Sequence, residues 1–333
     1  MINLEVKFMA DTRTYALAIY EILKEYSDEE HILSNPKIIE LLELKYQINM
    51  NQRTVINNIE ALIDFGIDIS PFSENRKGYY LRDRSFEDSE VALLCNCIHS
   101  AHFIPIKDSN DLIKKITDTQ SKYKKKKFIN TVYINNTRKT VNKQLLYNIG
   151  LLMDAIDQNK KITFKYLHND RNKKLVEKRE KLYTISPYYV VQENENLYLL
   201  CRNKNYPDLA HYRIDKMKDI QLIEEGIVPL QKSFDPYEYT KNKKFMWTGV
   251  EENIYLRCHE RMLDDLIDQF GREITIQNEP EYPEYFFTRL HVPRNGIIYF
   301  ALQYLKYCEI LQPQDIRDEI TKILEEKLTV YKK

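Results

Sequence analysis

Residues 51–69 read Asn51-Gln52-Arg53-Thr54-Val55-Ile56-Asn57-Asn58-Ile59-Glu60-Ala61-Leu62-Ile63-Asp64-Phe65-Gly66-Ile67-Asp68-Ile69. Val55, Ile59, Leu62 and Ile63 recur at helical spacing. Asn49 or Asn51 is placed to cap the start, and Gly66 ends the run. At about 100° per residue the apolar set forms one face. The opposite face carries Arg53, Thr54, Asn57 and Ala61, with Asn58 on its flank. Short polar groups and a guanidinium suit base edges and phosphates in a major groove. An ordinary solvated helix face is the other reading.

Working outward, the preceding residues predict two more helices. Asp11 can cap one with Tyr15, Ile19, Ile22, Leu23 and Tyr26 on its apolar face; Ser27 to Glu30 then form a polar break. Pro36 sits at a plausible first helical position, before Ile38, Ile39, Leu41, Leu42 and Tyr46. Downstream, Ile67 and Ile69 predict a strand, Glu74 to Gly78 a turn carrying Arg76 and Lys77, and Tyr79 to Leu81 a second strand. Three short helices and a hairpin make a winged helix-turn-helix over residues 1–84.

Farther along, residues 85–140 read as a helical linker. Glu87, Asp88 and Glu90 open one helix, and a second spans about Asn110 to Tyr123. The run Lys124-Lys125-Lys126-Lys127 reads as solvated linker, with phosphate-backbone contact as the alternative. An amphipathic helix at 141–157 follows. The period then changes to two at Ile162-Thr163-Phe164-Lys165-Tyr166. Two further strands are read around Ser186-Pro187, one at Leu197 to Cys201 and a last at His211 to Asp215. Five short strands within residues 141–225 predict a small barrel. The tail, 245–333, reads strand, helix, two strands, helix, strand, helix.

The chain has 333 residues and is 43% hydrophobic, which excludes wholesale disorder; 7 Gly and 11 Pro exclude collagen-like and low-complexity classes. No apolar run is long enough to span a membrane, and the first residues lack a signal-peptide core. Five scattered cysteines, Cys95, Cys97, Cys201, Cys258 and Cys308, suggest a reducing cytoplasm. The zero net charge is uneven. Residues 1–84 hold 10 basic and 14 acidic side chains, residues 85–223 hold 25 and 16, and residues 224–333 hold 15 and 20. The middle third is therefore the best place for an anionic ligand.

Together these segments resemble the WYL-domain transcriptional regulators that have a DeoR-like winged helix at the N-terminus and a WCX-type extension at the C-terminus. The likeness rests on Arg53 to Leu62 followed by Phe65-Gly66-Ile67, Gly78-Tyr79-Tyr80-Leu81, Ile162 to Tyr166 and Ser186-Pro187-Tyr188. It continues in Asn196-Leu197-Tyr198-Leu199-Leu200, His211 to Met217, Asp268 to Gly271 and Leu311-Gln312-Pro313. Leu197 stands where the family's tryptophan would be; the one tryptophan is Trp247. Ala210 stands where the family often has an arginine.

The resemblance implies a multidomain α+β fold: winged helix-turn-helix, helical linker, small Sm/SH3-like β-barrel and a ferredoxin-like βαββαβα module. It also implies a cytoplasmic homodimer on a double-stranded DNA operator, with a nucleotide or short nucleic acid as effector and repression slightly favoured. Arg53, Thr54, Asn57, Asn58, Arg76 and Lys77 would meet DNA. Tyr166, Tyr188, Tyr198, His211 and Arg213 would meet the ligand. Two other readings stay open: Tyr166 and Tyr198 as barrel core, and Arg213 as a structural partner of Asp215. No motif for catalysis, cofactor or metal is present. An accessory protein binding RNA or single-stranded DNA, without regulating a promoter, is the alternative function.

Overall fold

Helix α1 (Tyr15–Tyr26) buries Ala18, Ile19, Ile22 and Leu23 along one stripe. Helix α2 (Asn35–Tyr46) starts with Pro36 in its first turn and ends at Gln47 in the left-handed region. Helix α3 (Gln52–Asp64) is capped by Asn51, whose side chain accepts from the Thr54 amide at 2.9 Å. The buried faces meet in one core of Ile19, Ile22, Ile38, Leu42, Val55 and Ile59, closed by Tyr79 and Leu81. This computed structural model describes residues 14–131, 138–193, 195–203, 208–231, 233–236, 239, 249, 251–278 and 280–332. The expected cap at Asp11 and Trp247 lie outside the described residues.

The chain divides into two compact units, residues 1–141 and 142–333. In the first unit, strands β1 (Ile69–Ser70) and β2 (Tyr80–Leu81) pair antiparallel, Ile69 opposite Leu81. The simple turn expected between them is a one-turn helix, α4 (Phe72–Asn75), that ends with Arg76 at φ 57°. Asn75 causes this. Its side chain accepts from the amides of Lys77 and Gly78 and donates to the Pro71 and Gly78 carbonyls. Gly78 is required by close approach, because an added Cβ would lie 2.1 Å from the Leu33 carbonyl oxygen.

Helix α5 (Asp88–Ser100) opens with a reciprocal cap between Glu87 and Glu90. The single helix expected to Tyr123 is instead two, α6 (Ile106–Thr117) and α7 (Lys122–Thr131). The break follows from hydroxyls that compete for the backbone. Thr119 donates to the Ile116 carbonyl, and the Ser121 hydroxyl accepts from the Lys124 amide. The lysine run is thus helical, with Lys126 and Lys127 exposed to solvent and Lys124 and Lys125 half-buried. Lys124 pairs with Glu29 at 2.8 Å and Asp88 at 3.2 Å, and Lys125 pairs with Asp118.

The second unit begins with α8 (Leu145–Asp157) and then β3 (Lys160–Asn169), β4 (Leu175–Glu177), β5 (Tyr183–Glu193), β6 (Asn196–Asn203), β7 (Leu209–Arg213) and β8 (Met217–Gly226). Pairing runs β4-β3-β5-β6-β7, and β8 joins on β3. Two expectations change here. Six strands form where five were read, because β4 and β8 were missed. The two strands read around Ser186-Pro187 are one, with a bulge between Pro187 and Tyr189 that absorbs the proline.

The chain ends as β9 (Glu251–His259), α9 (Leu263–Phe270), β10 (Thr275–Asn278), β11 (Tyr285–Pro293), α10 (Arg294–Gln303), β12 (Cys308–Gln312) and α11 (Gln314–Tyr331). That is the element order expected of it. The sheet is antiparallel in order β10-β11-β9-β12. Ile254, Leu256, Leu266, Phe286, Phe300 and Ile316 anchor its core. The whole is a mixed α+β, multidomain architecture.

Candidate functional site

On α3 the capping Asn51 sets the helix phase, and burial of Val55, Ile59 and Leu62 sets its rotation. Arg53, Asn57 and Ala61 consequently stand exposed, one turn apart. Thr54 and Asn58 are half-buried and engaged locally. The Thr54 hydroxyl donates to Asn51 Oδ1 at 3.0 Å, and Asn58 Nδ2 donates to the Thr54 carbonyl at 2.8 Å. Arg76 and Lys77 are exposed on the turn that Asn75 holds. Nearby Arg82 pairs with Glu74 and with Asp68 and lies over the Tyr80 ring.

Within the second unit, alternation on β3 turns Phe164 inward, where it meets the rings of Tyr166, Tyr183 and Tyr212. The Tyr166 hydroxyl accepts from the Arg213 amide at 3.2 Å, and burial pushes its pKa up to about 12. Tyr198 lies directly opposite Arg213 on the neighbouring strand and is half-buried. Burial also raises the Tyr198 phenol.

Arg213 itself grips Asp215: Nε donates to Oδ1 at 3.0 Å and Nη2 to Oδ2 at 2.8 Å. Asp215 is only 4% exposed. Burial opposes the Arg213 charge, but the Asp215 carboxylate outweighs it and raises the guanidinium pKa. Of the expected ligand residues, the structure brings together Tyr166, Tyr198 and Arg213. His211 points its Nε2 at the Tyr239 hydroxyl, 3.0 Å away. Tyr188 is separate: its ring is buried and its hydroxyl donates to the Val228 carbonyl at 2.5 Å.

A further group was not singled out from the sequence. A cavity of about 300 Å³ opens among Lys161, Arg179, Lys181, Thr184, Ser186 and Arg202. Its signal was legible only with the strand register in hand, since these residues come from separate segments. Among the described residues, no group of three or more His, Cys, Asp or Glu is placed to hold a metal ion. No described helix is long and apolar enough to cross a membrane.

No curated protein matches the chain. Among solved structures, proteasome accessory factor B/C of Arthrobacter aurescens is similar over 96% of this chain and 49% of its own length, at 10% identity and TM-score 0.29. The chain thus spans about half the length of that protein. A CRISPR Cas-related protein is similar over 96% of this chain and 85% of its own, at 13% identity and TM-score 0.36. One family model, described as "WYL domain", matches residues 148–222, which run from within α8 through β3–β7 into β8. The chain therefore carries a WYL domain at residues 148–222.

Proposed function

We propose that this chain is a ligand-responsive transcriptional regulator that binds duplex DNA as a homodimer. In this reading residues 15–81 act as a winged helix-turn-helix, with α3 in the major groove and Arg76 and Lys77 on the flanking backbone. One observation carries it: α3 buries Val55, Ile59 and Leu62 and leaves Arg53 and Asn57 exposed one turn apart. Arg offers a planar fork to guanine and Asn a paired donor and acceptor to adenine. Thr54 and Asn58 serve the helix itself and contribute less to contact.

The WYL domain is read as a small Sm-like barrel that senses a nucleotide or nucleic-acid ligand. Arg213, engaged by Asp215, orders the surface where Tyr166, Tyr198 and His211 lie. The C-terminal order β10-β11-β9-β12 suits a ferredoxin-like module of the WCX type, and that module and the helices at 85–123 are the proposed dimer contacts. The chain is read as binding rather than catalysing, without a cofactor, and as cytoplasmic. A mobility-shift titration on DNA from upstream of the chain's own coding sequence tests this. Retarded duplex that resists excess unrelated duplex supports the reading. Retention of single strands alone overturns it in favour of an accessory nucleic-acid binder.

A further inference from the structure

Polar positions of three adjacent strands share one face of the sheet, with Ser186 buried at its centre and accepting from the Val228 amide at 3.0 Å. Ser186 on β5 is paired directly with Arg202 on β6. Ile162 on β3 is paired with Ile185 on β5, so Lys161 falls opposite Ser186, one step along the same antiparallel register. Residues directly opposite in such a pair share a face. Lys161, Ser186 and Arg202 therefore form a row across the sheet, and Thr184, two residues from Ser186, extends it. Ile162 and Ile185, the alternate positions, are buried in the core.

Above this row is the cavity of about 300 Å³. Arg179 and Lys181 border it from the segment before β5. Arg179 is held over the Tyr183 ring, its guanidinium carbon 3.5 Å from the centroid, with Nε donating to the Lys181 carbonyl at 3.1 Å. Lys161 is mostly covered, at 13% side-chain exposure, and reaches Glu225 at 2.9 Å. That glutamate is the single acid among the lining residues, against four cations. Arg202 is half-buried, and among the described residues its buried Nε has no hydrogen-bond partner. A buried N–H without an acceptor is costly, and an anion in the cavity would relieve it.

We propose that this cavity binds a phosphate group, with Lys161 and Arg202 as its main ligands and Arg179, Lys181 and the Thr184 hydroxyl around its mouth. Phosphate matches the chemistry: several acceptor oxygens, a full negative charge and a fit to guanidinium forks. The site is distinct from the Arg213 surface, because Arg213, Tyr166, Tyr198 and His211 are not among the residues that line the cavity. A mononucleotide and a nucleic-acid strand both supply this group. The inference rests on the reading of the WYL domain as a sensor but not on duplex binding, so each can fail alone.

Calorimetric titration of the full chain tests it, with AMP, adenosine and a single-stranded oligothymidylate as probes. AMP is expected to bind and adenosine to bind at least about tenfold more weakly. Arg202→Gln and Lys161→Met are each expected to weaken AMP about tenfold or more, and Arg171→Gln, at an exposed cation outside the cavity lining, to leave it within about twofold. Arg202→Lys restores part of the loss while keeping charge, and thermal melts establish that each variant is folded. Lys181→Ala, an exposed change that leaves the row intact, should weaken binding about threefold and protects the test if Arg202→Gln does not fold. If oligothymidylate binds more tightly than AMP with the same variant sensitivity, the phosphate belongs to a strand. The proposal is overturned if adenosine binds as well as AMP, if neither phosphate probe binds, or if folded Arg202→Gln and Lys161→Met keep the parent's AMP affinity.

Discussion

At the scale of single residues, the pairing of Arg213 with Asp215 has the sharpest consequence. The carboxylate is 4% exposed and takes both of its strong donors from one guanidinium. Arg213→Ala leaves that charge buried and unpaired, which should cost about 2 kcal/mol and lower the urea midpoint of the second unit. An unchanged midpoint would contradict the structural role. Arg53→Ala is the opposite case. Its side chain is exposed and supports nothing in the core, so the melt should be unchanged while specific DNA affinity falls by about 1–3 kcal/mol. Equal binding by Arg53→Ala, Asn57→Ala and the parent chain would exclude α3 as the reader. The sequence made the Arg213–Asp215 pair conceivable from their spacing of two. Asp215 lies in a 3-10 turn beyond the strand, however, so strand alternation was not the reason they meet.

At the scale of elements, the junction between α6 and α7 is tied back to the first helices through one buried carboxylate. Asp28 accepts from the Ser121 hydroxyl at 2.5 Å and from the His31 amide at 2.8 Å, and its Oδ1 lies 2.7 Å from His31 Nδ1. Arg84 reinforces the joint by donating to the carbonyls of Lys24 and Ser27, both at 2.6 Å. Burial alone would raise the Asp28 pKa; the hydrogen bonds from Ser121 and His31 outweigh it and hold the group below the usual carboxylate range. The sign follows directly. With the folded pKa depressed, this contribution is fully present above the unfolded value of about 3.9 and is lost as pH falls through the folded pKa. Asp28→Ala should cost about 2 kcal/mol at neutral pH and flatten the acid limb of the stability curve below about pH 4. A variant whose acid limb matches the parent's would contradict this. Helices α1–α3 were legible because apolar spacing, Pro36 and Asn51 agree with one another. The α6–α7 break was not, because the Ser121 hydroxyl that helps make it is held in turn by Asp28, 93 residues away in sequence. Strand β8 was missed for a related reason: it pairs with β3, and only Met217, Ile220 and a few partners mark its alternation among charges.

At the scale of the whole molecule, charge and copy number set how DNA can be held. Residues 1–84 carry 10 basic and 14 acidic side chains, so a single copy is a weak electrostatic match for a polyanion. In the proposed reading two copies on two half-sites would overcome this, and light scattering should report a dimer both alone and on DNA. A monomer in both states would contradict that part of the reading. Ligand binding can change DNA affinity only through different affinities for two arrangements of the chain, with coupling of about 1–3 kcal/mol expected. The central claim is sequence-specific duplex binding through α3. Its most direct measurement is a mobility-shift titration of the upstream duplex at several salt concentrations, with Arg53→Ala and Asn57→Ala in parallel. The account predicts a discrete complex, affinity that falls steeply with salt, and loss of preference over unrelated duplex in both variants. Binding that ignores duplex sequence, or variants that keep the parent's preference, would contradict it.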